Sequence, residues 1–466
     1  MPVVPWVPQV LVPRVRMVLK VPIVLRVPHP LMALVLLTGC TSDVASVAKV
    51  ETTGPAVLTA TIEATCDRCA WDTEGREAVM LRVLLDGRYS SHVPLVRTGK
   101  AEYNVLVGSV DAGTHTVSVE VDHDNSARDL RAADAATARI IRLQFSQAGA
   151  GLYLALAHAP FIYERANASG RFTDVPVFMW FEPEETESTA RRFRYSVVFT
   201  NEDGGTPADR LMATWGRTTD IEYVYSVLMD STGAIQGEDI QGPEHKVLPF
   251  DGKREARHPL LWVSTDNNMM LSTGATTIRY APAPMRFDLH GRSREAVMDA
   301  NPWLYALAAQ ELRREGKIVA EDTAGNGTIP DPRRFFTLEA CGQLNDAALA
   351  FAINVDGQWI GSDRGRDYRI ARDGCFRAAI PMPPSRTSRD IQGLRAQAYH
   401  RKTQAPQPTR VGPVRLTGVG GFFMLDEHYQ PRPAAFIVTP WLNPIVLQPG
   451  GPPVELPFRH AGLATP

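Results

Sequence analysis

Two stretches constrain this chain more than any other feature. AVMLRVLLDGRY (78–89) and ALAFAINVDGQWIG (348–361) each run through alternating apolar positions, break at Asp-Gly, and resume toward an aromatic. Alternation at period two marks a strand with one face on a core. Asp-Gly between such runs marks a tight hairpin, because both central residues of the favoured turn adopt positive φ. The echo points to two related sandwich modules. AVLTATIEA (56–64) and GTHTVSVEVDHD (113–124) follow the same logic, with Val117, Val119 and Val121 on one face and Ser118 and Glu120 on the other. With 35 Gly and 36 Pro punctuating 466 residues, the expected fold is mainly β: two or three β-sandwich modules in tandem, with one helix between the middle and C-terminal domains.

The expected segments are a signal peptide (1–39), a flexible tether (40–54), a first sandwich (55–145), a β-rich middle domain (146–295), a helix (296–319), a linker (320–334) and a C-terminal sandwich with a Pro-rich tail (335–466). The helix expectation rests on Trp303, Leu304, Leu307, Ala308, Glu311 and Leu312 at a 3.6 period, with Asn301 to cap, Pro302 at the first position and Gly316 to end it. The segment around Asp111-Ala112-Gly113-Thr114-His115-Thr116-Val117 resembles the turn-and-strand of bacterial immunoglobulin-like modules.

The N-terminus carries the most specific functional signal. Arg14, Arg16, Lys20 and Arg26 precede the apolar run Leu31–Leu37, which leads into Leu37-Thr38-Gly39-Cys40. A basic region, a short apolar region and small residues at a cleavage point describe a secretory signal. A start at Met17 would give it a more usual length. The last four residues resemble a bacterial lipobox. The resemblance implies cleavage before Cys40, lipidation of its thiol, and a membrane partner through that anchor. Thr41 and Ser42 follow, with no Asp at the next position, which resembles sorting to the outer membrane. A formal net charge of −2 gives no reason to expect nucleic acid.

Four cysteines remain: Cys66, Cys69, Cys341 and Cys375. An even remainder in an exported chain favours disulfides, Cys66–Cys69 and Cys341–Cys375 being the most local of the three pairings. Cys66-Asp-Arg-Cys69 also fits a redox motif or half a zinc site.

The candidate chemistry sits in NEDGGTPADRLMATWGRTTDIEYVYSV (201–227), which carries Glu202, Asp203, Asp209, Asp220 and Glu222. Read as a turn and a strand, its apolar face is Ile221, Tyr223, Tyr225, Val227 and Met229, with Asp220 and Glu222 together on the opposite, solvated face. That pair fits a Ca²⁺ site through hard oxygen ligands, or a general acid–base pair with His258 as third member and His245 nearby. Arg217 stands close enough in sequence to neutralise one carboxylate. Asp220-Ile221-Glu222 and His258-Pro259, in their order along 159–270, resemble elements of the vacuolar protein sorting sixty-two-like domain. Arg217-Thr218 and Asp266-Asn267-Asn268 stand where that family has His-Glu and Ser-His.

Two functions follow as expectations. One is a lipid-anchored envelope protein that binds a polysaccharide or protein partner without catalysis, with Trp215, Trp359 and Trp441 as candidate sugar contacts. The other is a lipid-anchored envelope hydrolase using Asp220, Glu222 and His258. No Walker loop, Rossmann glycine pattern, G-x-S-x-G or H-E-x-x-H motif is present.

Overall fold

Both Asp-Gly turns form hairpins. Asp86 and Gly87 have φ of 50° and 73°, and Asp356 and Gly357 have φ of 53° and 77°. Positive φ at both central positions gives a turn whose twist matches the flanking strands. The structure is a computed structural model describing residues 44–460, except 133–134, 150, 167, 169, 186–189, 203–204, 322, 402–410 and 439–442. Cys40 and the whole signal segment therefore lie outside the described residues, as do Asp203 and Trp441.

The described chain is mainly β, as expected. A nine-stranded sheet runs in the order Val44–Thr52, Gly113–Asp122, Met80–Leu85, Arg88–Pro94, Arg279–Tyr280, Phe161–Tyr163, His258–Val263 and Arg254–Glu255, with Met270–Leu271 added beside His258–Val263. It combines strands from both sides of position 145. The first and middle segments are thus joined by main-chain hydrogen bonds as well as by sequence. A three-stranded sheet (Gly99–Val110, Ala56–Cys66, Thr137–Gln147) faces it, and Val117, Val119 and Val121 point into their shared core with Leu58, Ile62 and Leu81.

Val44–Thr52, expected in the tether, is instead the edge strand of the nine-stranded sheet. Val and Ala make up five of its nine residues, and Ser46, Ala48, Val50 and Thr52 are buried while Ala45, Lys49 and Glu51 are exposed. Small residues hid the alternation.

A six-stranded sheet carries the middle domain in the order Lys246–Pro249, Ile235–Gly242, Asp220–Met229, Arg191–Phe199, Pro176–Glu185 and Met285–Arg286. The C-terminal sandwich pairs a five-stranded sheet around Phe335–Gln343 with a four-stranded sheet in the order Gln358–Gly361, Ala347–Val355, Ile391–His400 and Val454–Glu455. Short pieces of the Pro-rich tail, Ile445–Leu447 and Val454–Glu455, pair with the edges of these two sheets.

Among the described residues four short α-helices interrupt the strands: α1 (Tyr153–Ala157), α2 (Ala208–Trp215), α3 (Ala296–Ala300) and α4 (Trp303–Arg314). The expected helix is α3 and α4, split at Asn301-Pro302. Asn301 does not cap α4; its side-chain amide donates to the Val297 carbonyl at 2.9 Å and closes α3. Gly316 ends α4 with φ of 67°. Its N–H donates to Arg313 and that of Lys317 to Leu312, which satisfies the last carbonyls in the Schellman arrangement. Leu304, Leu307, Ala308, Glu311 and Leu312 are buried, as their period requires.

The sulfurs of Cys66 and Cys69 and those of Cys341 and Cys375 stand at disulfide distance, 1.97 and 2.09 Å. Cys341 and Cys375 are directly opposed on neighbouring strands, and the pair closes a 34-residue separation. Loop-closure entropy assigns such a link roughly 3–4 kcal/mol. Cys341→Ser with Cys375→Ser should lower the stability of the C-terminal sandwich by about that amount in chemical denaturation. An unchanged midpoint would mean that the pair does not constrain the unfolded chain.

Candidate functional site

The strand Asp220–Met229 owes the environment of its two acids to a bulge. Tyr225 opposes Tyr195 and Tyr223 opposes Ser196, so Val224 is an extra residue on this strand. One extra residue inverts the alternation. Before the bulge, Asp220 opposes Phe199 and Glu222 opposes Val197; after it, Tyr225 opposes Tyr195 and Val227 opposes Phe193. Directly opposed residues share a face, and Phe193, Tyr195, Val197 and Phe199 all belong to one core. Asp220 and Glu222 therefore lie on the same sheet face as Tyr225, Val227 and Met229, and not on a solvated opposite face. Ile221 points the other way, into a core with Trp180, Val198 and Val297. Tyr223 is only half-buried, its hydroxyl donating to the Asp239 carbonyl.

The pair is accordingly buried, Asp220 at 2% and Glu222 at 8% exposure. Burial pushes the Asp220 carboxyl well above the usual carboxylate range; the neighbouring Glu222 adds to this and Arg217 opposes it. Burial likewise raises Glu222 to about 7, against the pull of Arg294, Arg217 and the hydrogen bond from Gln241. Asn268 Nδ2 donates to Asp220 Oδ2 at 2.9 Å, and Gln241 Nε2 donates to Glu222 Oε2 at 2.5 Å. Arg217 is 3.9 Å from Asp220 but 3.3 Å from Glu295. Burial opposes ionisation of Glu295, yet Arg217, Arg372, Arg294 and Arg377 outweigh it and hold this acid down to about 2. Arg217 thus belongs first to Glu295, and only secondarily to the pair.

The two acids open into a cleft of 360 Å³ between the middle domain and the C-terminal sandwich. α2 supplies one wall with Arg210, Thr214 and Trp215. The sequence alone reads as a turn before the strand here, since eight residues give few helical periods. Gly216 ends α2 in the left-handed region at φ of 65°, and a Cβ there would meet Arg377 Cβ at 3.0 Å. Only glycine allows both the turn and that approach to the C-terminal strand. Arg369, Ala371, Arg372 and Arg401 of the C-terminal sandwich, with His245, Glu202 and Asn267, complete the lining. The Arg372 guanidinium lies 3.6 Å over the Trp215 ring and donates to the Thr214 carbonyl at 2.9 Å. Burial lowers it to about 9 against the attraction of Glu295.

The sequence candidates separate into two groups. Asp220, Glu222, His245, Glu202 and Trp215 converge on this cleft. His258 does not: its Nε2 contacts Ser109 Oγ at 3.0 Å, its Nδ1 contacts the Ala159 carbonyl at 3.0 Å, and its ring meets the edge of Phe161. Burial lowers its pKa to about 4, so it is a neutral packing histidine in the nine-stranded sheet, away from the acid pair. Asp209 is buried in α2, where its carboxylate accepts from the Gly325 N–H and pins the 320–334 segment. The Ca²⁺ reading does not match the donor set. Each acid accepts from an amide N–H, Asp220 also standing 3.9 Å from Arg217, and among the described residues no group of three or more His, Cys, Asp or Glu is arranged to hold a metal. Cys66–Cys69 and Cys341–Cys375 also lie away from the cleft lining.

Arg369, Arg372 and Arg401 were missed because they lie about 150 residues or more beyond the acids. The run DRGRDYRIARD (363–373), with four arginines in 364–372, is the signal that marks them.

No family model and no curated protein matches the chain. Among solved structures, "NLPPya in complex with mannosamine" is similar at 10% identity and a TM-score of 0.22, covering 29% of this chain and 71% of that one. A cycloisomaltooligosaccharide glucanotransferase of Paenibacillus sp., complexed with cycloisomaltoheptaose, aligns at 8% identity and a TM-score of 0.16, covering 89% of this chain and 39% of that one. Likenesses at this level carry no inference. What the fold itself defines is a mainly-β chain with a polar cleft between two of its parts.

The buried pair has a thermodynamic signature. Glu222 keeps in the folded state a proton that the unfolded chain loses above about 4.5, until pH passes about 7. Its contribution is full below the lower value and is lost as pH rises through the upper, amounting to roughly 3 kcal/mol. Glu222→Gln should therefore flatten part of the fall in melting temperature between about pH 5 and pH 8, Asp220 supplying the remainder. A slope identical to that of the unsubstituted protein would show that Glu222 ionises as freely folded as unfolded.

Proposed function

We propose that this is a lipid-anchored protein of the bacterial cell envelope, held in the outer membrane through Cys40, whose interdomain cleft binds a polar, sugar-like ligand. The observation that carries the binding part is the cleft: 360 Å³ lined by Trp215, arginines, acids and His245, and almost free of aliphatic side chains. Ligand sites of about 300–1,000 Å³ with a few convergent polar groups fit small polar molecules. Leu37-Thr38-Gly39-Cys40 after a basic and apolar leader supports the anchor. Among the described residues no helix is long and apolar enough to cross a membrane.

Two measurements test this reading. Cys40→Ser should move the protein from the membrane fraction to the soluble fraction; unchanged fractionation removes the anchor from the proposal. The released form (41–466) should bind an oligosaccharide from a panel of envelope glycans by calorimetry, and Trp215→Ala should weaken that binding at least tenfold with the protein still folded by circular dichroism. Equal affinity in the variant removes the cleft as the binding site.

A second reading, hydrolysis of the bound ligand, is favoured by one observation. Asp220 and Glu222 stand side by side in the cleft, and burial holds both toward the protonated form, Glu222 near neutrality. A carboxyl that keeps its proton near pH 7 is a competent general acid. On this reading Glu222→Gln lowers turnover of the bound oligosaccharide by 10²-fold or more with affinity within about threefold, and His258→Gln leaves the turnover per folded molecule unchanged. A ligand that binds and is never cleaved leaves the protein a binding protein.

A further inference from the structure

We infer that the cleft continues past Arg369 into a second cleft on the C-terminal sandwich, and that the two together hold one acidic oligosaccharide, a sugar chain bearing carboxylate groups. This rests on the sugar-binding reading above and extends it to a second site and a ligand class. Arg369 lines both clefts. The second measures 370 Å³ and lies on the outer face of the four-stranded sheet.

Alternation builds it. In Ala347–Val355, Leu349, Phe351 and Ile353 point into the sandwich core, which turns Ala350 and Ala352 outward. In Ile391–His400, Leu394, Ala396 and Ala398 point inward, which turns Arg395, Gln397 and Tyr399 outward. Cross-strand register sets Ala352 opposite both Arg395 and Gly361, and Ala350 opposite Gln397. Small residues thus floor the cleft while Trp359, Arg395, Arg369 and Tyr399 rise around it. Asp363 and Gln397 supply polar groups.

The charge of the linings selects the ligand. Arg210, Arg372, Arg395 and Arg401 line the two clefts and have no carboxylate within ion-pair distance among the described residues. Three guanidiniums are held over aromatic rings: Arg372 over Trp215 at 3.6 Å, Arg369 over Tyr399 at 3.6 Å, and Arg395 over Trp359 at 4.1 Å. A guanidinium stacked on a ring is fixed in plane and presents its N–H edge for a bidentate carboxylate; Arg369 already meets Asp367 at 3.3 Å and Asp363 at 3.6 Å, so Arg372 and Arg395 are the two that offer it to a ligand. Asp220 and Glu222 cancel little of this charge, because burial holds both toward the neutral form; the other acids of the two linings are Glu202 and Asp363, against the six arginines Arg210, Arg217, Arg369, Arg372, Arg395 and Arg401. Two clefts of similar size in a row, polar and aromatic and without aliphatic subsites, suit a chain of repeating hydroxylated units better than a peptide.

The test uses the full-length protein in detergent and a hexamer of galacturonic acid as probe, with its fully methyl-esterified form, a neutral glucose hexamer and dextran sulfate as comparisons. The expected result is calorimetric binding of the hexauronate, at least tenfold tighter than its methyl ester and than dextran sulfate. Arg395→Ala and Arg401→Ala, both outside the hydrophobic core, should each weaken it at least tenfold, and Trp359→Ala should weaken it as well. Arg395→Lys should restore part of the loss. Equal binding of the methyl ester or of dextran sulfate overturns the inference, as does hexauronate binding indifferent to Arg395→Ala. Neutral-hexamer binding lost in Trp215→Ala but intact in Arg395→Ala also overturns it, while leaving the first cleft's reading standing. Hexauronate binding that Arg395→Ala weakens and Trp215→Ala does not touch overturns the first cleft's reading instead.

Discussion

Arg377 fixes the geometry on which the cleft depends. Its guanidinium is 1% exposed and meets Asp299 of α3 at 2.5 Å and Glu339 of the neighbouring strand at 3.1 Å. It also donates to the Tyr305 hydroxyl of α4 and the Glu295 carbonyl. A buried charge is tolerable only when each of its donors is met, and removing one partner is costly. The strand Gly374–Pro381 can therefore dock in one place, where α3 and α4 present these acceptors. Arg369 and Arg372 lead into that strand, so the same interaction sets the arginine wall against Trp215, Asp220 and Glu222. Gly216 completes the arrangement, because its missing side chain lets α2 close onto Arg377.

α4 extends this logic to the whole chain. Leu307 packs into the core of the first sandwich, Leu304, Tyr305 and Ala309 into that of the middle sheet, and Leu312 into a cluster with Phe335 and Ala208. Glu311, buried and raised to about 7 chiefly by that burial, accepts from Trp71 Nε1 and is paired with Arg314 at 2.7 Å. Arg314 also reaches Glu77 at 3.3 Å. A helix with this much buried surface on several sides is a joint between domains and not a spacer, which is why an amphipathic pattern in the sequence places it on a core without saying how many cores it serves.

The elements legible in the sequence were those governed by local rules. The Asp-Gly pairs Asp86-Gly87 and Asp356-Gly357, each set between alternating runs, took positive φ at both positions, and the Val117–Val121 alternation needed one core face. The helix at 303–314 followed its period, and its end at Gly316 followed from glycine's access to the left-handed region. The misreadings came from non-local rules. The environment of Asp220 and Glu222 turned on one extra residue at Val224, and a bulge leaves no mark in composition. His258 and the acid pair are both polar points in apolar strands, but their strands belong to different sheets, and strand order is a property of tertiary pairing. Asn301 has the chemistry of an N-cap, yet its side chain turns back to the preceding helix, Nδ2 donating to the Val297 carbonyl.

The cleft also explains why its acids and arginines coexist. A pair of ionised carboxylates beside Phe199 and Val197 would lack the water that stabilises them. Their nearest cation, Arg217, is already committed to Glu295, whose low pKa follows from the arginines grouped around it. The site therefore settles its charge unevenly: Glu295 stays ionised and binds Arg217, while Asp220 and Glu222 remain closer to neutral and accept only from amides. Among the described residues, that division leaves Arg210, Arg372 and Arg401 with no carboxylate at ion-pair distance in the first cleft. An uncompensated cation next to a ring costs less than one in an aliphatic pocket, since the quadrupole of Trp215 offsets part of the lost hydration of Arg372.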